Sequence, residues 1–264
     1  MLNLNVEEFT VEFKDGSIRN VGPPLYAAGP LAPLFAAAAL LVGVAALTAT
    51  LPDRAPARDG GLRAVLAGLA RTPDLLVPYA FGFADRFTAG FFGLVGTFYL
   101  HRTFELGPAA TGLVLACFFA PFALLQYPLG ALSDRVGRVV PIVGGSVGYG
   151  LGIVGVGLAP TVPLVAVGMA AVGVLGALVA PATMALVTDM AAPGERGAAM
   201  GGFNIFGSLG FLGGILVGGG VATRFGFLAA FLVAGGLEAG IVLLALPLLP
   251  KVVPDPTATF GRRS

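Results

Sequence analysis

Charge is scarce in this chain. Only 11% of its 264 residues are Asp, Glu, Lys or Arg, where a soluble domain carries about 25%. With 56% hydrophobic residues and a mean hydropathy of +0.91, the composition excludes an ordinary water-soluble domain and points to a lipid bilayer. The single cysteine, Cys117, sits inside an apolar run, which excludes a disulfide framework and a thiol metal site. The two lysines, Lys14 and Lys251, lie outside the apolar runs, which excludes a retinal pigment with a lysine deep in its last helix. A net charge of +1 gives no reason to expect a nucleic-acid partner. The opening Met1-Leu-Asn-Leu-Asn-Val-Glu-Glu lacks the basic start and apolar core of a secretory signal.

Apolar stretches, by contrast, are abundant. A membrane span needs about 20 such residues, and seven runs are long enough, near Leu25–Leu51, Leu75–Leu100, Ala109–Leu132, Val139–Ala159, Val162–Val187, Ala198–Thr223 and Phe225–Leu249. Backbone polar groups in lipid must be satisfied within the segment, so these runs are expected to be helices. Short connections make most neighbours antiparallel. The expected fold is therefore an all-α membrane protein of seven transmembrane helices. Its segments are an extramembrane stretch (1–24), an isolated helix (25–51), a hydrophilic linker (52–74), a six-helix body (75–250) and a tail (251–264).

Basic residues set the orientation. Arg54, Arg58, Arg63, Arg71, Arg135, Arg138, Arg196, Lys251, Arg262 and Arg263 fall on one side of this arrangement, against Lys14, Arg19, Arg102 and Arg224 on the other. The positive-inside rule then places the amino terminus outside and the carboxyl terminus in the cytoplasm of a multi-pass inner or plasma membrane protein. Within the linker, Leu62, Val65, Leu66 and Leu69 fall at helical spacing beside Arg63 and Arg71. That pattern fits a short helix on the inner membrane surface and equally an unstructured linker. Near the start, Phe9, Val11 and Phe13 alternate with polar residues before an Asp15-Gly16 turn signal, the pattern of a small hairpin.

Small residues and prolines pattern the spans. Gly144, Gly148 and Gly152 recur every fourth residue, as do Gly210, Gly214 and Gly218. Each set makes one smooth stripe, along which helix backbones can approach closely in lipid. Pro121, Pro128 and Pro181 fall inside spans, where each removes a backbone donor and favours a kink. A weak internal repeat also runs through the body. Arg135-Val-Gly137 precedes an apolar run that soon meets Gly144-Gly145, and Arg224-Phe-Gly226 precedes one that meets Gly235-Gly236. Transporter halves are often built from such triples in inverted topology.

Charges at membrane depth are the candidate functional residues, since each costs roughly 2.5–3.5 kcal/mol at the bilayer centre and needs a partner or water. Asp85 and Arg86 fall inside the second run and Glu238 in the middle of the last. Asp85 and Arg86 read either as a cavity-facing pair that binds solute or carries a proton, or as an arginine reaching the inner surface with its neighbour. Glu238 reads as a proton-coupling group or as a carboxyl bonded to a neighbour. Gln126, Tyr127 and Asn204 can bond across helices. At the inner surface, Arg135 and Arg138 are expected to join Asp189 in a charge cluster, with Glu195-Arg196-Gly197 leading into the sixth run.

Two motifs are refused. Gly150-Leu-Gly152-Ile-Val-Gly155 matches a dinucleotide fingerprint, but that site needs a strand-to-helix turn rather than a span. Gly144-Gly-Ser146-Val-Gly148 matches a nucleophile elbow, but the only histidine, His101, is placed near the opposite membrane face. No cofactor motif and no catalytic constellation remain, so an enzyme is not expected.

Gly130-Ala-Leu-Ser-Asp134-Arg135-Val-Gly137-Arg138 packs three charges and two glycines between two long apolar runs. It resembles the G-x-L-x-D-R-x-G-R loop signature of the major facilitator superfamily of transporters. Pro193-Gly-Glu195-Arg196-Gly197 is similar to the start of a fifth helix in one transporter half, and Thr223-Arg224-Phe225-Gly226-Phe227 resembles the outer turn before its sixth helix. On this resemblance, residues 75–250 are one six-helix half of two inverted triples, Leu25–Leu51 is the last helix of the other half, and 52–74 is the central loop. The likeness implies alternating access, with Asp134 at the positive end of a helix from the other half and Gly130, Arg135, Gly137, Arg138, Asp189 and Arg196 in a conformational gate. It favours Asp85 and Arg86 over Glu238 for the cavity. Gly210, Gly213 and Gly214 are present without the Gly-Pro pair of drug–proton antiporters.

The expected function is a secondary transporter that moves a small solute across the bilayer, with proton-coupled efflux as its mode. The alternatives are a truncated fragment without transport of its own, or a half that needs the missing half or a second copy. In a Cys117→Ser background, an impermeant thiol reagent is expected to label Glu105→Cys in intact cells and Val136→Cys only after permeabilisation. The reverse pattern would invert the topology.

Overall fold

The computed structural model describes residues 4–5, 10–12, 18–20, 32–50, 62–192 and 194–248. Asp15-Gly16, residues 52–61 of the linker with Arg54 and Arg58, Pro193 and the 251–264 tail with its basic residues lie outside these. The chain divides into two units, Met1–Arg58 and Asp59–Ser264.

Among its described residues, the first unit holds three short antiparallel strands and one helix. Strands β1 (Leu4–Asn5), β2 (Thr10–Glu12) and β3 (Ile18–Asn20) lie in that order, and β2 pairs with β3 through Thr10–Asn20, Val11–Arg19 and Glu12–Ile18. Helix α1 (Ala32–Ala49) follows, and its Phe35–Ala49 portion is apolar but shorter than a full span.

The second unit is a helical bundle. A short helix α2 (Leu62–Arg71) leads through a 3-10 turn, Pro73–Leu75, into α3 (Leu76–Phe91). A π-helical turn, Phe92–Gly96, joins α3 to α4 (Thr97–Phe104). Then come α5 (Pro108–Val136), α6 (Val139–Leu158), α7 (Val162–Met190), α8 (Arg196–Phe225) and α9 (Phe227–Ala245). These last five are each long and apolar enough to cross a membrane. The expected crossing at Leu75–Leu100 is one helical path from Leu76 to Phe104, broken only by the π turn. In a regular helix, neighbouring residues point about 100° apart. The wider turn lets Phe91 and Phe92 both be buried, where they join Tyr99, Phe118 and Phe231 in an aromatic core. Ring centroids there stand 5.0 Å apart for Phe91–Phe231, 4.9 Å for Tyr99–Phe231 and 5.5 Å for Phe92–Phe118.

Large apolar side chains also cover the outside of the bundle, among them Leu113, Leu124, Leu151, Leu164, Leu216, Leu243 and Leu244. Against lipid tails such residues gain nothing by moving inward, so close packing rather than hydrophobicity must hold the helices together. Glycine supplies that closeness. Helices α3 and α8 run parallel in strict step, with Gly210 on Phe83, Gly214 on Phe87 and Gly218 on Phe91. At Gly90, Gly210 and Gly214 a Cβ atom would collide with the carbonyl oxygen of Phe211, Phe83 and Phe87 respectively. Helices α5 and α7 form a second parallel pair. Gly173 of α7 faces Phe118 and Pro121 of α5, and Gly130 of α5 faces Pro181 of α7. Pro121 and Pro181 are thus each seated against a glycine of the partner helix.

Helix α6 is antiparallel to both of its main neighbours. Gly145, Gly148 and Gly152 meet Val179, Leu175 and Val172 of α7, and Gly150 meets Gly235 of α9. Both sequence motifs refused above lie within this continuous helix.

Two junctions share a backbone conformation. Gly137, between α5 and α6, has φ 86° and ψ 160°, and Gly226, between α8 and α9, has φ 85° and ψ 171°. That region of backbone space is essentially open to glycine alone.

Replacing Gly214 by Ala is expected to destabilise the bundle by about 1–3 kcal/mol or more, because backbone rather than a mobile side chain stands in the way. Gly155, on the same kind of helix but facing open space, should accept Ala with a change within about 1 kcal/mol, in the stabilising direction. Thermal unfolding of the two purified variants in detergent separates the outcomes.

Candidate functional site

The α3·α8 contact brings two charges to the face of α3 that looks across the bundle. Arg86 runs its stem over Gly207 of α8, where an added Cβ atom would stand 3.2 Å from the Arg86 Cγ. Asp85, one residue earlier, points inward. Its side chain is 11% exposed against 50% for Arg86, and Arg86 Nε lies 3.7 Å from Asp85 Oδ2. Both line a cavity of ≈ 250 Å³. Its walls are aromatic, from Phe118, Phe119 and Phe122 of α5 and Phe203 and Phe211 of α8, and Gln126 and Tyr149 supply further polar atoms. A buried acid, a half-exposed base, an amide and a phenol around an apolar hollow can bind a small solute and exchange a proton with it. A larger groove of ≈ 640 Å³ lies elsewhere, between the α3–α4 segment and α8, and its one charged lining residue is Arg102.

The sequence candidates separate in the structure. Asp85, Arg86 and Gln126 meet at the cavity. Glu238 is buried on α9, 2% exposed, and its stem lies against Gly150 of α6. Asn204 is exposed on α8 and does not line the cavity. Sequence reasoning missed Tyr149, Thr88 and Ser146. All three are fully or almost fully buried polar residues, and the Tyr149, Thr88 and Ser146 hydroxyls make no hydrogen bond. A tyrosine next to a glycine stripe in the middle of a span was the available signal for Tyr149.

A second cluster gathers at the ends of α5 and α7. Arg138 bonds Asp134 and Ser133 of α5, the latter at 3.1 Å, and Asp189 of α7, also at 3.1 Å. The loop turn at Gly137 folds Arg138 back so that one guanidinium ties both helix ends. Its side chain is only 18% exposed. Burial works against its charge, but the hydrogen bonds and charges of Asp134 and Asp189 outweigh that and hold it above the ordinary arginine value. A base raised in the folded state contributes its stability at every pH below the unfolded value. The clamp therefore keeps its cation throughout the physiological range. Arg135 and Arg196 are exposed and form no ion pair among the described residues. Glu195 instead pairs with Arg71 of α2 at 2.6 Å, while Leu69 of α2 packs with Leu75, Tyr79 and Ala199. The amphipathic spacing in the linker is thus a real helix, docked on the start of α8.

No curated protein matches this chain. The model of the Major Facilitator Superfamily matches residues 79–264, a stretch that takes in the cavity, the Arg138 clamp and every helix from within α3 to α9. That match covers well over half of the chain and agrees with five helices long and apolar enough to cross a membrane: the chain belongs to the Major Facilitator Superfamily, a family of membrane transporters.

Proposed function

We propose that this chain is a secondary transporter half, with one preceding helix, that moves a small solute by alternating access and couples the movement to protons at Asp85. The observation that carries the reading is a buried carboxylate on the wall of an aromatic cavity, beside an arginine that solvent still reaches. A carboxylate there is worth its desolvation cost only where its charge is used or paired.

Counting α1 and the α3–α4 path with the five long helices gives seven crossings. The pairing pattern supports two inverted triples, α3–α4 with α5 and α6, then α7, α8 and α9. The first helix of the first triple packs parallel to the second helix of the next, and the reverse pairing, α5 with α7, is also parallel and glycine-mediated. Gly137 and Gly226 fall between the second and third helix of each triple with the same backbone conformation. In this reading 1–24 is extramembrane, 25–51 an isolated crossing, 52–74 a cytoplasmic loop containing α2, and 251–264 a cytoplasmic tail. Asp134 stays available to a helix end of the other half, being largely exposed despite its bond to Arg138. The exposed Asn204 and Tyr127 favour a second reading, in which this half works only against a partner half or a second copy.

In a full-length, transport-competent protein in liposomes, Asp85→Asn is expected to lower solute-dependent proton flux by more than about tenfold. Unchanged coupling removes Asp85 from the mechanism. Arg138→Gln should lower stability by about 1–2 kcal/mol, at the low end because both carboxylates are partly exposed, and should shift the balance between inward- and outward-facing states. Accessibility of a cysteine placed in the cavity reads that balance, and no shift would make the clamp purely structural.

A further inference from the structure

We propose that the cavity beside Asp85 and Arg86 takes a small apolar zwitterion, a solute with an ammonium and a carboxylate close together and an apolar body beyond them. The apolar amino acids are molecules of this kind. This rests on the reading above that the cavity is the solute site, and it names the class of solute.

Four polar side chains line the hollow, Asp85 and Arg86 from α3, Gln126 from α5 and Tyr149 from α6. Tyr149 is 2% exposed, and its hydroxyl has no hydrogen-bond partner. Arg86 Nε and Asp85 Oδ2 stand 3.7 Å apart, beyond the roughly 2.7–3.2 Å of an N–H···O bond. Neither of those side chains, nor that of Gln126, makes a hydrogen bond among the described residues. Elsewhere the chain closes its ion pairs, with Arg71 at 2.6 Å from Glu195 and Arg138 at 3.1 Å from Asp189. A sheltered polar group without a partner is costly, and here four converge on one space.

Charge selects the partner. Asp85 and Arg86 cancel, so this wall carries a strong dipole and no net charge. An ammonium alone, set against Asp85, would also stand near the Arg86 guanidinium and be repelled by it. A carboxylate alone, set against Arg86, would meet Asp85 in the same way. A solute with both groups lays its own dipole against the wall, ammonium to Asp85 and carboxylate to Arg86, and leaves no charge unpaired in a low-dielectric site. The planar, many-donor guanidinium suits a carboxylate. Because the acid and the base are only 3.7 Å apart, the two solute groups must be close neighbours as well. Asp85 is 11% exposed and Arg86 50%, so the ammonium sits deeper and the carboxylate nearer the opening. Gln126 and Tyr149 can each donate to the carboxylate or accept from the ammonium.

The remaining wall sets the body. Phe118 and Phe122, one turn apart on α5, hold their rings 5.8 Å apart and inclined by only 21°. Such a surface gains from an apolar body and nothing from a hydrophilic one. The volume of ≈ 250 Å³ falls below the roughly 300–1,000 Å³ of pockets for drug-sized ligands, which sets the upper size.

The test is binding of radiolabelled L-phenylalanine to the full chain in lipid nanodiscs, with unlabelled competitors. Saturable binding is expected, displaced by L-leucine. Phenethylamine keeps the ammonium and the ring, 3-phenylpropionate the carboxylate and the ring, and glycine both charges without the body. Each is expected to compete at least about tenfold less well than L-phenylalanine. Absence of L-phenylalanine binding by a chain of intact helical content overturns the proposal. Phenethylamine or 3-phenylpropionate competing as well as L-phenylalanine also overturns it, making the solute a cation or an anion, and glycine competing equally removes the apolar body. Arg86→Gln should lower the ratio of L-phenylalanine to phenethylamine affinity by at least about tenfold, and Asp85→Asn the ratio of L-phenylalanine to 3-phenylpropionate affinity likewise. These are ratios within one preparation, so a loss of folded protein does not imitate them, and ratios unchanged in both variants overturn the assignment of the two charges. Flux in liposomes is measured separately. Binding without flux sinks the transporter reading alone, and flux of another solute without L-phenylalanine binding sinks the solute class alone.

Discussion

Backbone-to-backbone contact between α3 and α8 is the constraint on which the rest of this bundle depends. In lipid there is no hydrophobic gain from gathering apolar side chains, so association rests on dispersion and on how near two helices can come. Gly90, Gly210 and Gly214 remove the side chains that would keep them apart. The same contact fixes the rotation of α3. Once Phe83, Phe87 and Phe91 are laid along the glycine stripe of α8, Asp85 turns toward the interior and Arg86 lies over Gly207. The position of the acid is thus a by-product of glycine packing, and its chemistry depends on residues that carry none.

The loop clamp and the cavity answer different physical demands. At the cavity, charge is kept sparse and sheltered, with an acid and a base adjacent in sequence but unequal in exposure. At the helix ends, charge is concentrated, and Arg138 satisfies two carboxylates and a hydroxyl at once. A planar guanidinium with several donors suits that task, which an ammonium would perform less well. Helix α2 adds a second tie at the start of α8 through Arg71 and Glu195. Both ties join a helix end to a neighbouring element near its terminus, leaving the middle of the bundle to van der Waals contact.

Much of this was legible in the amino-acid order, for identifiable reasons. Long apolar runs, the stripe of Gly210, Gly214 and Gly218 and the charged loop are local patterns that map onto helices, a close contact and the Arg138 cluster, whereas in the other stripe Gly144 faces open space and Gly145 meets α7 in its place. Asp85 and Glu238 stood out because charge in an apolar run is conspicuous. What stayed hidden depends on three-dimensional register. The π turn at Phe92–Gly96 has no simple sequence sign, and it divides an otherwise regular crossing. Tyr149 and Thr88 look like ordinary spanning residues until α3, α6 and α9 are brought together. Arg135 and Arg138 are equivalent by spacing, yet only Arg138 reaches Asp189, because Gly137 turns the chain between them.

That turn has a stereochemical consequence. The loop signature mixes two kinds of requirement, for charge at Asp134 and Arg138 and for handedness at Gly137. With φ 86° and ψ 160°, the second requirement concerns which mirror-image residue can occupy the site rather than size. D-alanine, introduced by chemical ligation, would sit there comfortably while L-alanine would strain the backbone, and Gly226 would discriminate between the same two enantiomers.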